Sequence, residues 1–440
     1  MITPDILIRD AVQVVTVAGQ GRRPKVGEDM AELDIIAGGF VAVQGDRIAL
    51  VGKLAELEST VRIGPDTQVI SAAGKTVLPG LVDPHTHASY AGSRASEFAL
   101  RLQGATYREI MEAGGGIMNT VRATRGASLS ELAEESRARL DRMLAWGTTT
   151  IEVKSGYGLT TPDEIKMLRV VAELGRDFPG LLVPTFLGAH EIPPEYRPRR
   201  KTYVDLICDE MIPLVAEKGL ARFCDVFCED GVFTVAESRR VLEAGRKAGL
   251  AAKIHADELT TFGGAELAAE VEAVSADHLL CASNEGLQDM AKAGVVAVLL
   301  PGTPFFLMMK QYAPARRMIE LGLPIALATD SNPGSCPIEA LPIAMSLACL
   351  QMKLTPAEAI SAATINAAHA LGLGDEVGSL EPGKRADVAI FDAPSYEEIV
   401  YRFGVNLAGT VIAGGKIVIS GGKALTAGGK TVINGREVEQ

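Results

Sequence analysis

Hydrophobic and polar residues alternate in three different ways along this chain. Residues 1–75 read as short strands. Ile6-Leu-Ile8 and Val14-Val-Thr-Val17 are apolar and β-branched. Phe40-Val-Ala-Val43 and Arg47-Ile-Ala-Leu-Val51, joined at Gly45-Asp46, predict a hairpin, and the polar stretch 19–33 predicts a loop. From residue 76 the pattern becomes strand, loop, helix, repeated. Strands are expected at Val77–Val82, Thr148–Val153, Leu182–Leu187, Cys224–Phe227, Ala252–His255, Val274–Asp277, Val295–Leu300 and Ile325–Thr329. Capping boxes at Ser128/Glu131, Thr161/Glu164 and Thr234/Glu237, with Pro162 at a first helical position, open helices between them. Eight strands in this alternation imply an α/β fold, a (β/α)8 TIM-like barrel. After a helix expected over Thr355–Leu371 the strand texture returns, with a hairpin candidate over Val377–Phe391 and strands over Thr410–Ile419. The economical reading is a barrel over 76–374 and one small β-sandwich domain formed by both termini, 1–75 and 375–440.

Bulk properties narrow the class. A chain of 440 residues accommodates a barrel of about 250 plus a smaller domain. A formal charge of −12 argues against a nucleic-acid or anionic-membrane surface. Asp5, Arg9 and Asp10 interrupt any apolar leader, and no uncharged run reaches the ~18 residues of a membrane span, so a cytoplasmic protein is expected. The six cysteines form no Cys-x-x-Cys pair, and Cys224-x-x-x-Cys228 has no companion pair, so reduced core thiols are expected.

The chemistry concentrates in six histidines, five of which fall at or near the C-terminal ends of expected barrel strands, where barrel sites assemble. His369 falls in the late helix and reads as structural. His85 and His87 are separated by one residue, so strand alternation points both the same way. With His255 and Asp330 they offer three imidazoles and a carboxylate to a single ion, although Asp330-Ser-Asn-Pro-Gly334 is also good turn chemistry. Glu258 and His278 are placed to move a proton near an attacking water. Lys154 ends the second strand, earlier than a metal-bridging carboxylated lysine would, and reads as structural, so one metal is expected. Arg94 suits a substrate carboxylate. Tyr157, His190, Asn332, Gly334 and Ser335 are further substrate-facing candidates. Gly114-Gly-Gly116 lacks a following Gly-Lys-Ser/Thr and reads as a turn.

Pro79-Gly-Leu-Val-Asp-Pro-His-Thr-His87, with His255, His278 and Asp330 on later strands, resembles the amidohydrolase superfamily. The resemblance extends over nearly the whole chain. It is most specific at Glu97–Tyr107, Glu152–Gly158, Phe186–His190, Cys224–Glu229, Lys253–Glu258 and Asp330–Ser335. It implies hydrolysis of a cyclic amide, 4-imidazolone-5-propanoate, to N-formimidoyl-L-glutamate in histidine degradation. It also implies one zinc or iron held by His85, His87, His255 and Asp330. Around the substrate it implies Arg94, Tyr157, His190, Asn332, Gly334 and Ser335, with Tyr107 as a further tyrosine near the pocket, and Glu258 and His278 near the reacting centre. A homodimer is expected on the same ground. Ser331 departs from the larger apolar residue expected there. Two alternatives remain at this level: an aminohydrolase acting on a nitrogen heterocycle, which Arg94 disfavours, and a metal-free scaffold, which the complete ligand set disfavours.

Overall fold

The computed structural model describes residues 1–19, 23–105, 109, 114–425, 431–433 and 436–438. Tyr107 lies outside them. Eight parallel strands, each hydrogen-bonded to its neighbours in chain order, form the expected barrel: Leu81–Asp83, Thr148–Lys154, Leu181–Ala189, Phe223–Cys228, Ala251–Ala256, Ser275–His278, Val296–Leu299 and Ile325–Leu327. The seam between the last and first strands is closed by residues just beyond them. The Asp330 N–H donates to the His85 carbonyl at 3.1 Å, and the His87 N–H donates to the Ser331 carbonyl at 3.0 Å. Below these, Thr329 donates its hydroxyl to Asp83 at 2.6 Å. The residues that close the barrel are therefore the ones that carry its candidate ligands.

The outer helices follow from local sequence. Ser128 and Glu131 cap the helix Leu129–Ala145 reciprocally, and Leu132, Ser136, Arg139, Leu140 and Met143 form its buried stripe at helical spacing. Thr234 and Glu237 cap Val235–Lys247 in the same way. The third expected box is displaced. Thr160, not Thr161, caps Thr161–Leu174 by accepting the Asp163 N–H, which frees Glu164 for another task described below. No helix among the described residues is long and apolar enough to cross a membrane.

Both termini build one sheet of eleven strands beside the barrel. Its centre pairs Ile6–Val15 with Ile35–Gln44 and, further along, Thr76–Pro79 with Val388–Phe391. Four expectations change. Ile6–Ile8 and Val14–Val17 merge into one strand, irregular near Asp10, whose φ is 64°. The apolar run Val77–Val82 divides at Gly80: Thr76–Pro79 joins the terminal sheet and Leu81–Asp83 opens the barrel. Gly80 is required by close approach, since a Cβ there would sit 2.1 Å from the Thr149 hydroxyl. Of the hairpin expected over Val377–Phe391, Val388–Phe391 is a strand and the preceding Pro382-Gly383 stretch is a turn. The helix expected over Thr355–Leu371 is two helices, Pro356–Ala362 and Ile365–Ala370. They part where the Ala363 carbonyl accepts the Val82 N–H of the first barrel strand at 2.9 Å.

Candidate metal centre and substrate cavity

A cavity of about 440 Å³ opens at the C-terminal ends of the barrel strands. On its floor, His85 and His87 arrive from the end of the first strand, His255 from the fifth and Asp330 from beyond the eighth. The Asp330 Oδ1 lies 3.4 Å from His85 Nε2 and 3.6 Å from His87 Nε2, and His87 Nε2 lies 3.5 Å from His255 Nε2. These are the separations of donors that share one ion at about 2.1 Å. The His85 Nε2 is buried with no hydrogen-bond partner among the described residues, as a lone pair reserved for a metal would be. Burial first, then neighbouring cations and imidazoles, lowers His85 and His87 well below the usual imidazole range. Neutral imidazole is the ligating form. The donor set fits a divalent ion.

The orientation of these donors is fixed from behind. His85 Nδ1 pairs with Asp277 at 2.6 Å, and His255 Nδ1 pairs with Asp225 at 3.1 Å. Each aspartate keeps the proton on Nδ1 and turns Nε2 toward the cavity. Asp330 divides its oxygens: Oδ1 faces the imidazoles, and Oδ2 accepts the Thr303 hydroxyl at 2.5 Å. Its φ of 54° lies in the left-handed region, which aspartate tolerates, and places the carboxylate over the barrel mouth. Burial pushes Asp330 up to about 6, moderated by the Thr303 hydrogen bond. Burial, then Asp330 and Glu229, pushes Glu258 up to about 8. The Glu258 Oε1 lies 3.7 Å from His278 Nδ1, which burial also keeps neutral.

The cavity walls hold the remaining candidates. His190 stacks on His87 with ring centroids 4.9 Å apart, and its Nδ1 donates to the Gly156 carbonyl at 3.0 Å, leaving Nε2 as an acceptor. Burial takes His190 down to about 3, so it stays neutral. Tyr157 lies against both His87 and His190. Its loop is held by Glu164, whose carboxylate accepts the N–H groups of Gly156, Gly158 and Leu159. Arg94 pairs with Glu97 at 2.8 Å and lies across Gly334, where a Cβ would meet its guanidinium at 2.0 Å. Asn332 organises the loop beyond Asp330. Its side-chain oxygen accepts the N–H of Gly334 and of Ser335, each at 2.8 Å, and its amide donates to the Asp330 carbonyl at 2.7 Å. Ser331 is buried in the closing seam, its carbonyl taken by His87. Lys154 is buried below the donors, and His369 lies in a helix away from them.

Sequence reasoning missed the residues that act from behind: Asp225, Asp277, Thr303 and Glu164. It also missed Arg101, which lines the cavity and packs its guanidinium on Phe98 and Phe306 at 5.6 and 5.0 Å. Arg94, Glu97, Phe98 and Arg101 repeat at i, i+3, i+4 and i+7, a spacing that puts them on one face of the helix Ala95–Leu102 and its cap. That signal was readable.

A model of the amidohydrolase family matches residues 76–418. An imidazolonepropionase of Geobacillus thermodenitrificans is 58% identical over 415 residues, 94% of this chain and 97% of that protein. One of Shouchella clausii is 55% identical over 414 residues, 94% of this chain and 92% of that protein. Among solved structures, a zinc-bound adenosine deaminase from Xanthomonas campestris shares the fold, with a TM-score of 0.71 at 19% identity over 96% of this chain and 94% of that one.

Proposed function

The chain belongs to the amidohydrolase family, among the imidazolonepropionases, and hydrolyses the ring C–N bond of 4-imidazolone-5-propanoate to N-formimidoyl-L-glutamate in histidine degradation; we propose that His85, His87, His255 and Asp330 hold the single metal ion this requires, zinc or iron. The observation that carries the assignment is the convergence of four donor atoms at 3.4–3.6 Å on a cavity floor whose wall carries Arg94.

When bound, the ion polarises the amide carbonyl and brings the pKa of water toward neutrality. Asp330, whose Oδ1 faces the floor while Thr303 holds Oδ2, takes the proton that the attacking water loses. Glu258 enters as the acid, since burial and two neighbouring carboxylates raise it well above the usual carboxylate range. It gives its proton to the ring nitrogen as the C–N bond breaks, and both carboxyl groups are reset through solvent. His278 stands beside the oxygen that gains charge. Arg94 takes the propionate carboxylate bidentately, and the Asn332–Ser335 loop completes that end of the site. Tyr157 and His190 hold the ring, the latter with an accepting Nε2. Tyr107 belongs to the same proposal through the family resemblance. The likeness to an adenosine deaminase concerns the fold alone, and a neutral base offers Arg94 no carboxylate.

Freshly prepared 4-imidazolone-5-propanoate, followed by its ultraviolet absorbance, tests this reading. Substrate loss that a chelator stops and zinc or iron restores is the expected result. No turnover by metal-replete protein, or ammonia release from an amino-heterocycle instead, would overturn it. A cytoplasmic homodimer completes the proposal. Six cysteines without a disulfide suit a reducing compartment, and light scattering checks the dimer.

A further inference from the structure

Below the donor set lies a cluster of ions that the reaction itself does not use. Glu152 and Lys154 come from the second barrel strand, Asp225 from the fourth, Lys253 from the fifth and Asp277 from the sixth, and every one of these side chains is 0% exposed. Strand alternation turns Glu152 and Lys154 to the same interior face. The Lys154 ammonium lies 2.7 Å from Asp225, 3.0 Å from Glu152 and 3.5 Å from Asp277. Lys253 lies 2.9 Å from Glu152 and donates to the Pro84 carbonyl, next to His85, at 2.8 Å.

Asp225 and Asp277 are the two carboxylates that grip His255 and His85. We infer that Lys154 is a positioning residue for the metal centre: one ammonium ties these two aspartates together, and through them aims the His85 and His255 Nε2 atoms at a common point. The inference rests on the metal-centre reading above. Its physical content is a bridge. Two like charges held on imidazoles from different strands repel one another in a fully buried region. A cation between them turns that repulsion into a single fixed arrangement. Without the ammonium, each aspartate relaxes on its own and the imidazoles follow.

Charge alone makes a different prediction from a bridge. Three carboxylates and two ammonium groups leave the cluster at a formal −1. Lys154→Met takes it to −2. Adding Glu152→Gln removes one carboxylate and returns it to −1, yet leaves Asp225 and Asp277 unbridged. The experiment measures cobalt(II) affinity by chelator competition, the visible ligand-field spectrum of the cobalt-loaded full chain, and melting temperature, for wild type, Lys154→Met and Glu152→Gln/Lys154→Met. The double variant is expected to melt below wild type, because Lys253 loses Glu152 and both aspartates lose their ammonium, and as folded protein to bind cobalt(II) about 10–100-fold more weakly, as loss of support behind a metal ligand does, with a shifted spectrum. Wild-type affinity and spectrum in the double variant would overturn the inference, whether or not Lys154→Met folds. Failure of the wild-type chain to bind cobalt(II) at all would instead overturn the metal-centre reading on which it stands.

Discussion

The core of the terminal sheet and the ions of the barrel floor are both buried, yet they are built from opposite materials. The sheet packs Ile6, Ile8, Val14, Val41, Val77, Val388, Ile390 and Ile412 into an aliphatic core. The barrel floor, at the same exposure, packs Glu152, Lys154, Asp225, Lys253 and Asp277 beneath three imidazoles. Apolar burial contributes stability directly, about 25 cal/mol per Å². Buried ions contribute little net stability and are costly when one partner is removed. The floor therefore has geometry to deliver, and the sheet supplies part of the stability that lets the barrel carry charge at its centre. Substitutions in the two regions should accordingly fail in different ways.

The largest effect is expected at the floor. Asp330→Asn removes the proposed negative ligand and proton acceptor while keeping the Thr303 contact and nearly the same volume. A loss of about 10³-fold or more in kcat is expected, with a melting temperature near that of wild type. Near-normal turnover in this variant would remove Asp330 from the mechanism. The sheet should show the reverse. Ile390 is 1% exposed and pairs with Val77 on one neighbouring strand and Thr410 on the other. Ile390→Ala is expected to cost about 2–5 kcal/mol in denaturant unfolding while kcat/KM per folded molecule stays unchanged. A drop in kcat/KM of the folded protein would show that the sheet shapes the site as well as stabilising it.

The same contrast explains what could be read from the sequence. The eight barrel strands were legible because each is a short apolar run bounded by loop and helix signals, and the candidate ligands stood out because His85, His87, His255 and Asp330 lie at the ends of such runs. The partition of Val77–Val82 between two sheets was not, because an apolar strand of either sheet has the same composition and the divide depends on Thr149 crowding Gly80 from another element. The break at Ala363 was hidden for a similar reason: a helical pattern runs through it, and the carbonyl is taken by Val82, distant in the chain. The ion cluster was half legible. Alternation shows that Glu152 and Lys154 share a face, but nothing local says that Asp225 and Asp277 meet the same ammonium. Pairing across strands decides that.

The cavity wall sharpens the comparison at lower cost to the protein, because its groups are neither core nor ligand. Arg94→Met deletes the carboxylate clamp. KM for the acidic substrate should rise about 10–100-fold, the worth of a charge-assisted pair, with kcat changed by a smaller factor. An unchanged KM would remove Arg94 from substrate binding.

Gly334→Ala should give the smallest effect. The methyl group would start 2.0 Å from the Arg94 guanidinium, too close to persist. The atom it meets is the far end of a long flexible side chain, so the arginine moves and the backbone does not. Stability should hardly change, unlike Ile390→Ala, and the ligands stay in place, unlike Asp330→Asn. What shifts is the aim of one cation. KM is expected to rise by less than in Arg94→Met, up to about tenfold, with kcat close to wild type. Adding Gly334→Ala to Arg94→Met should then cost nothing more, because the side chain it displaces is already gone. A further loss in that double variant would mean that the loop itself, ordered by Asn332, touches the substrate.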